Sequence, residues 1–523
     1  MLASLRSAAV FGIDAYAVHF EVDVSFGLPH FTMVGLPDAT VRESRDRVRS
    51  AIKNSGFEFP AHRITVNLAP ADVRKAGSSF DLPIALGLLA TSGQVAPRAV
   101  DDTVILGELS LDGGINGIRG VLPIAIAARR LGLRRLLLPP SNAGEACAVA
   151  GLDVCVVGSL CEAVDALNNP EGATLVTRTS SSTPALPDTH ADLSEVRGQG
   201  VARRALEVAA AGGHNLLMVG PPGAGKTMLA RRFAGLLPPL SLDESLECSS
   251  IHSVAGTLRA GAGLLVDRPF RAPHHTISQV ALVGGGGLPR PGEISLAHHG
   301  VLFLDEMPEF DRRVLEVLRQ PIEEGRVTIA RASTTAVFPA AFVLVAAMNP
   351  CPCGFLGDER RVCRCSPAQI ARYRGRISGP LRDRLDLTVG VPAVGSQALA
   401  DDTPGEASAL VRARVVRARQ AQSDRFGATG ATGATGAMSG SPVNAALRGG
   451  ALMTSCRPDA RGRALLSSAV DILGLTARGH DRVLRVARTI ADLAGEPAVR
   501  ADHVAEALQY RSIPSLDGQP ASP

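Results

Sequence analysis

The sequence predicts a multidomain α/β protein whose central domain is built on a parallel sheet, and three patterns predict it. An apolar run, Asn215-Leu216-Leu217-Met218-Val219, enters Gly220-Pro221-Pro222-Gly223-Ala224-Gly225-Lys226-Thr227, after which Met228 to Ala234 has helical spacing. Strand, glycine-rich turn and helix start are the context in which G-x-x-x-x-G-K-T holds phosphate. A second run, Val301-Leu302-Phe303-Leu304, ends in Asp305-Glu306. It reads as a buried parallel strand with two carboxylates at its C-terminal end, the edge where open α/β sheets bind ligands. A third, Phe342-Val343-Leu344-Val345-Ala346-Ala347, leads to Asn349.

Composition sets the bounds. A chain of 523 residues holds about three domains, and 46% apolar residues suffice for ordinary cores. The net charge of +4 is too small to argue for a polyanionic partner, so any basic surface must be local. No apolar run reaches the roughly 18 residues of a membrane span, and no membrane partner is expected. Asp14 interrupts the short apolar stretch after Arg6 and no cleavage site follows, so no signal peptide is read. Nine cysteines in a nucleotide-dependent chain fit a reducing cytoplasm better than disulfides.

Along the chain, residues 1–170 read as a first, mixed α/β domain. Val18, Phe20, Val22, Val24 and Phe26 alternate with His19, Glu21, Asp23 and Ser25, the period of a half-buried strand. Further strands are expected at Ile64 to Leu68, Val104 to Leu106, Leu136 to Leu138 and Val154 to Val157, with helices from about Leu82 and Leu122. Residues 171–192 form a linker, because the Ser/Thr/Pro-rich stretch from Thr177 to Pro187 cannot make a core. The core domain spans 193–395. A helical region spans 396–515, with a Gly-Ala-Thr repeat near 427–441 expected to be a flexible insertion, and 516–523 form a polar tail.

The motifs assign chemistry residue by residue. Backbone N–H groups from Gly220 to Thr227 close around phosphate oxygens, and the helix start adds a favourable dipole. Lys226 reaches the β- and γ-phosphates of ATP, and Thr227 ligates Mg²⁺. Asp305 holds the same Mg²⁺ through water, and Glu306 orients and polarises the attacking water. Asn349 touches the γ-phosphate or that water; the alternative is a plain turn residue before Pro350.

Between these motifs stand Arg271-Ala272-Pro273-His274-His275-Thr276, Val283 to Gly287, and Pro291 to Gly300. With them the chain resembles the magnesium-chelatase-like branch of the AAA+ ATPases, and within it the ComM (YifB-type) subfamily. The resemblance covers nearly the whole chain. It implies a Lon-protease-like α/β N-terminal domain, an AAA+ P-loop core and a helical C-terminal lid. It also implies a homo-hexameric, ATP-hydrolysing motor on single-stranded or branched DNA, promoting branch migration in recombination or transformation without reading base sequence.

More residues follow from the resemblance. The segment Ser378 to Leu387 is similar to the one holding the arginine finger, with Arg384 as the choice and Arg382 as the competitor. Arg478 resembles the sensor arginine of the lid, with Arg482 as runner-up. Where a Lon-type protease would carry its catalytic lysine, this chain has Arg119, and a guanidinium cannot act as the base. Ser79 is then structural and the domain non-proteolytic. A hairpin over Arg326 to Phe338 is similar to the pore hairpins of hexameric helicases. It puts Arg331 where one cation per subunit would track DNA phosphates; the alternative is a solvent-exposed hairpin arginine.

Cys351, Cys353, Cys363 and Cys365 give C-x-C, nine residues, C-x-C, four thiolates able to close on one structural Zn²⁺. Cys147, Cys155, Cys161, Cys248 and Cys456 read as small core residues. The pairs His274-His275 and His298-His299 are expected to pack rather than chelate, since adjacent side chains on a strand or helix point apart. Two other readings remain: a magnesium-chelatase-type motor that remodels a protein partner for metal insertion, which the N-terminal domain argues against, and an ATP-dependent protease, which Arg119 argues against.

Overall fold

The computed structural model describes residues 1–71, 75, 77–96, 102–170, 172, 174–176, 191–259, 261, 263–287, 289–331, 334–358, 361–395, 404–429 and 442–511. Most of the expected linker, residues 430–441 of the Gly-Ala-Thr insertion, and the tail lie outside the described residues. Two compact units form. One comprises residues 1–183, 245–265 and 330–337; the other comprises 184–244, 266–329 and 338–523.

The first unit is built on an eight-stranded sheet. Its strands are β1 (Leu2–Phe11), β2 (Asp14–Ser25), β3 (His30–Val34), β4 (Arg63–Ala69), β5 (Thr103–Ile105), β6 (Arg135–Leu138), β7 (Asp153–Val156) and β8 (Leu175–Val176). The spatial order is β8-β7-β6-β5-β1-β2-β4-β3. β1, β2 and β4 pair antiparallel, while β1-β5-β6-β7 run parallel.

The period of two sorts side chains onto two faces. Leu5, Ile105, Leu137 and Cys155 pack with helices α1 (Ala39–Asn54), α2 (Asp81–Thr91) and α4 (Leu160–Asn168). Ala8, Val104, Leu136 and Val154 pack with α3 (Val121–Arg130). In β2, Val18, Phe20 and Val22 are buried and His19 and Glu21 exposed, as the alternation implies. Phe26 departs from it: the strand stops at Ser25 and Phe26 is 95% exposed.

Residues 245–265 belong to this unit although they follow the phosphate-binding motif in sequence. Leu246 and Leu264 pack on the α3 face. Ser253 Oγ donates to Glu145 Oε2 at 2.5 Å, and Gly120 N donates to the Ser253 carbonyl at 3.1 Å. Burial pushes the Glu145 carboxyl above its ordinary range, and the Ser253 bond pulls the other way.

The second unit holds a five-stranded, wholly parallel sheet: β9 (Leu216–Val219), β10 (Phe270–Arg271), β11 (Val301–Leu304), β12 (Val343–Met348) and β13 (Leu387–Gly390). The order is β10-β11-β12-β9-β13, with every neighbour parallel. All four residues of β9 and of β11 are buried, which explains their unbroken apolar runs. Helices α5 (Gly200–Gly212) and α6 (Lys226–Phe233) share one core with α9 (Ser408–Thr429), α10 (Ala460–Leu473), α11 (Ala477–Leu493) and α12 (Ala501–Gln509). α9 carries Gly427 to Thr429, so helix occupies the first residues assigned to the flexible insertion.

His214 ties these helices to the sheet. It is fully buried, with Nε2 2.8 Å from Thr489 Oγ1 and Nδ1 3.9 Å from Asp386. Burial pulls its pKa down to about 4, with Asp386 opposing. The folded value lies below the unfolded one, so the stability that neutral His214 permits is complete above about pH 6.5. It is lost as pH falls toward 4, on the order of 3 kcal/mol in all. Thermal denaturation from pH 7 to pH 4 should therefore fall less steeply for His214→Gln than for the wild type; parallel curves would rule this out.

Candidate nucleotide-binding site

Strand register brings the motifs to one edge. Val219 pairs with Met348, and Leu304 with Ala346. The residues leaving β9, β11 and β12 (Gly220, Asp305 and Asn349) therefore emerge together at the C-terminal side of the sheet. Gly225, at φ 88°, turns the chain from β9 into α6, whose first residue is Lys226. A side chain at that φ is strained, and glycine is not.

Lys226 Nζ donates to the carbonyls of Gly220 at 2.7 Å and Pro221 at 2.9 Å, and to Asn349 Oδ1 at 3.1 Å. Thr227 Oγ1 donates to Asp305 Oδ2 at 2.6 Å. Glu306 N donates to the other oxygen, Asp305 Oδ1, at 2.9 Å. Burial lowers the Lys226 pKa, while Asp305 and Glu306 pull it back up. Glu306 sits at φ 49°, in the left-handed region, and its side chain is 58% exposed. A non-glycine residue held there stores strain of the kind that gathers at functional sites. Its carboxylate faces solvent.

Sequence reasoning missed two neighbours of this site, Tyr373 and His275, and the partner of Arg384. Tyr373, near the end of α8 (Pro367–Arg374), is buried against the Asn349 backbone, and burial pushes its pKa up to about 12. His275 Nδ1 lies 3.9 Å from Glu306 Oε2. Glu323 pairs with Arg384 at 2.6 Å. No local pattern marks Tyr373 or Glu323. The Pro-His-His-Thr segment was visible, but its proximity to Glu306 depends on β10 lying beside β11.

The histidine pairs correct one expectation. The rings of His274 and His275 are 4.1 Å apart, and those of His298 and His299 are 3.9 Å apart. They lie in irregular and turn segments, not in regular elements, so adjacent side chains here lie together rather than apart. His298 Nδ1 accepts from Ala341 N at 3.0 Å.

The arginines divide by exposure. The Arg384 side chain is 9% exposed, held by Glu323 and donating to the Pro380 carbonyl at 2.6 Å. Arg382 is exposed. Arg478, in the first turn of α11, is exposed, whereas Arg482 is buried and pairs with Asp386 at 3.3 Å. Burial lowers Arg482 to about 10. Arg331 ends the first strand of the hairpin Arg326–Arg331 and Thr334–Pro339; its side chain lies outside the described residues. Arg119, in the first unit, is exposed, and a Cβ at Gly256 would come within 2.7 Å of its Nε.

The four clustered cysteines meet in space. Their sulfurs all lie within 4.8 Å of one another. The Cys351–Cys353 separation is 3.4 Å, and Cys363 lies 3.6 Å from each of those two. The Phe355 backbone amide lowers the Cys353 thiol to about 6, whereas burial raises Cys351 to about 12. Of the other five, Cys155, Cys248 and Cys456 are buried, but Cys161 is exposed near the start of α4 and is no core residue. Among the described residues no helix is long and apolar enough to cross a membrane.

The family model for the magnesium chelatase subunit ChlI matches residues 192–399. The model for subunit ChlI of Mg-chelatase matches 20–142, and that for the ChlI C-terminal region matches 405–511. The chain is 44% identical to the competence protein ComM of Haemophilus influenzae over 519 residues, covering 98% of both chains. It is 43% identical to YifB of Escherichia coli over 517 residues, again 98% of both. A Lon protease of Chloroflexus aurantiacus is 30% identical over 132 residues, 24% of this chain and 16% of that protein.

Proposed function

Since the chain belongs to the ComM (YifB-type) subfamily of the magnesium-chelatase-like AAA+ proteins, we propose that it is an ATP-hydrolysing ring motor that moves along DNA. One observation carries the ATPase part. The Lys226–Asn349 and Thr227–Asp305 bonds join the phosphate loop to the ends of β12 and β11, with Glu306 beside them. Phosphate oxygens would take the place of the Gly220 and Pro221 carbonyls at Lys226 Nζ. Thr227 Oγ1 and Asp305 Oδ2 lie 2.6 Å apart and would hold Mg²⁺, which supplies neutralisation of phosphate charge when bound. Asn349 fixes the lysine head, and Glu306 holds and polarises the attacking water. Arg384 completes the site of the next subunit on leaving Glu323, and Arg478, exposed on α11, senses nucleotide from the lid.

The relative named as a competence protein supports DNA as the track, and the Arg326–Pro339 hairpin supplies the contact. Six copies of Arg331 around a pore hold phosphates without reading bases. The nine free thiols suit a reducing cytoplasm. Cys351, Cys353, Cys363 and Cys365 hold a structural Zn²⁺.

The test is steady-state ATP turnover with no DNA, with single-stranded DNA and with a branched junction. Either DNA should accelerate turnover, and Arg331→Ala should weaken binding about equally for all sequences while flattening its salt dependence by about one phosphate contact. Turnover indifferent to every DNA tried would count against DNA as the track.

A further inference from the structure

The cysteine cluster and the phosphate loop are in contact. The turn Cys351-Pro352-Cys353-Gly354 closes with Gly354 N donating to the Cys351 carbonyl at 3.0 Å. Gly354 has φ +85°, and a Cβ there would lie 2.4 Å from Pro222 Cδ and 2.7 Å from Pro222 Cγ. The backbone of this turn thus lies directly on the second proline of the phosphate loop, at a distance that only glycine permits.

The same segment reaches the loop from its other end. Asn349, whose Oδ1 accepts from Lys226 Nζ, is two residues before Cys351. Beyond Cys365, Ser366 caps α8 with a reciprocal capping box, and α8 returns Tyr373 to Asn349 and Arg374 Nε to the Pro350 carbonyl at 3.1 Å.

The sulfur geometry suits a metal. Tetrahedral thiolates about 2.3 Å from Zn²⁺ stand roughly 3.8 Å apart, close to the 3.4 and 3.6 Å separations found among Cys351, Cys353 and Cys363. A disulfide needs about 2.05 Å. Cys365 N donates to Cys363 Sγ at 3.5 Å, the kind of amide contact that steadies a metal-bound thiolate.

We propose that this metal site governs nucleotide affinity: Zn²⁺ bound by the four cysteines braces Pro222 through Gly354 and Lys226 through Asn349. The proposal rests on the zinc and nucleotide readings above and adds the mechanical link between them. With the metal in place, the turn is a rigid back wall for the phosphate loop. Without it the four sulfurs separate, Pro222 loses its support, and Asn349 no longer fixes the lysine head. The loop must then be ordered by the nucleotide itself, which weakens binding.

The experiment uses the full chain and equilibrium binding of a fluorescent ADP analogue in Mg²⁺. Protein that has lost its zinc to a zinc-selective chelator should bind about tenfold more weakly, the scale on which removing a supporting shell acts, and added Zn²⁺ should restore affinity. Gly354→Ala keeps all four cysteines and pushes a methyl group into Pro222. It should retain the zinc content of the wild type by elemental analysis yet lose affinity by a similar factor. This variant decides the matter if the stripped protein unfolds. Lys226→Ala should keep its zinc and lose nucleotide; if it still bound nucleotide, the phosphate-loop reading itself would fail. Tag-free protein without zinc would sink the metal reading and this proposal with it. Zinc present, but with equal affinity in stripped, loaded and Gly354→Ala protein, would overturn the link alone.

Discussion

Lys226→Ala is expected to abolish nucleotide binding, whereas Glu306→Gln should bind nucleotide and hydrolyse ATP at least about 100-fold more slowly than wild type. The two changes separate because the residues act at different stages. Lys226 meets phosphate in the ground state, and its three donors already point at the loop and at Asn349. Glu306 lies outside that network with its carboxylate 58% exposed, so its loss leaves the loop intact and removes the group that acts on water. Calorimetric titration with ADP and a phosphate-release assay would read the two effects. Comparable hydrolysis by wild type and Glu306→Gln would remove Glu306 from the chemistry.

Arg384→Ala should reduce hydrolysis by roughly a thousandfold, the scale of a lost arginine finger. The fold should survive, because the partner left behind, Glu323, is 49% exposed and remains solvated. Mixing this variant with Lys226→Ala subunits separates a role in trans from one within the chain. Neither should hydrolyse alone, while mixed rings contain sites with an intact phosphate loop facing an intact finger and should regain part of the activity. No recovery under verified subunit exchange would exclude the in-trans role. Recovery with Arg382→Ala in place of Arg384→Ala, and not with Arg384→Ala, would move the finger to the exposed arginine.

The sheet and the phosphate site were legible because the signals are local and dense. Three apolar runs became β9, β11 and β12, each within about two residues of its expected bounds, and the residues at their ends bond to the adjacent Lys226 and Thr227. The alternation in β2 likewise followed from the pleat alone. What escaped depends on contacts distant in sequence. Residues 245–265 pack with the first unit through Leu246, Leu264 and the Ser253–Glu145 bond, and nothing within that stretch announces it. Tyr373 reaches Asn349 only because the cysteine turn and α8 fold back on β12. Glu323 finds Arg384 across 61 residues of sequence, so nothing local to Arg384 announced its partner. The cysteine spacing suggested a metal site, but its contact with Pro222 arises from the turn at Gly354, which no spacing announces.

Movement along DNA driven by ATP turnover, as proposed, is read by following a labelled strand in a three-stranded junction. Wild-type protein should move the branch and release the labelled strand when ATP is supplied, and should fail with a non-hydrolysable analogue. Glu306→Gln should bind the junction and leave it intact. ATP hydrolysis at full rate with the junction unchanged would contradict the account and point instead to a motor that acts on a protein partner.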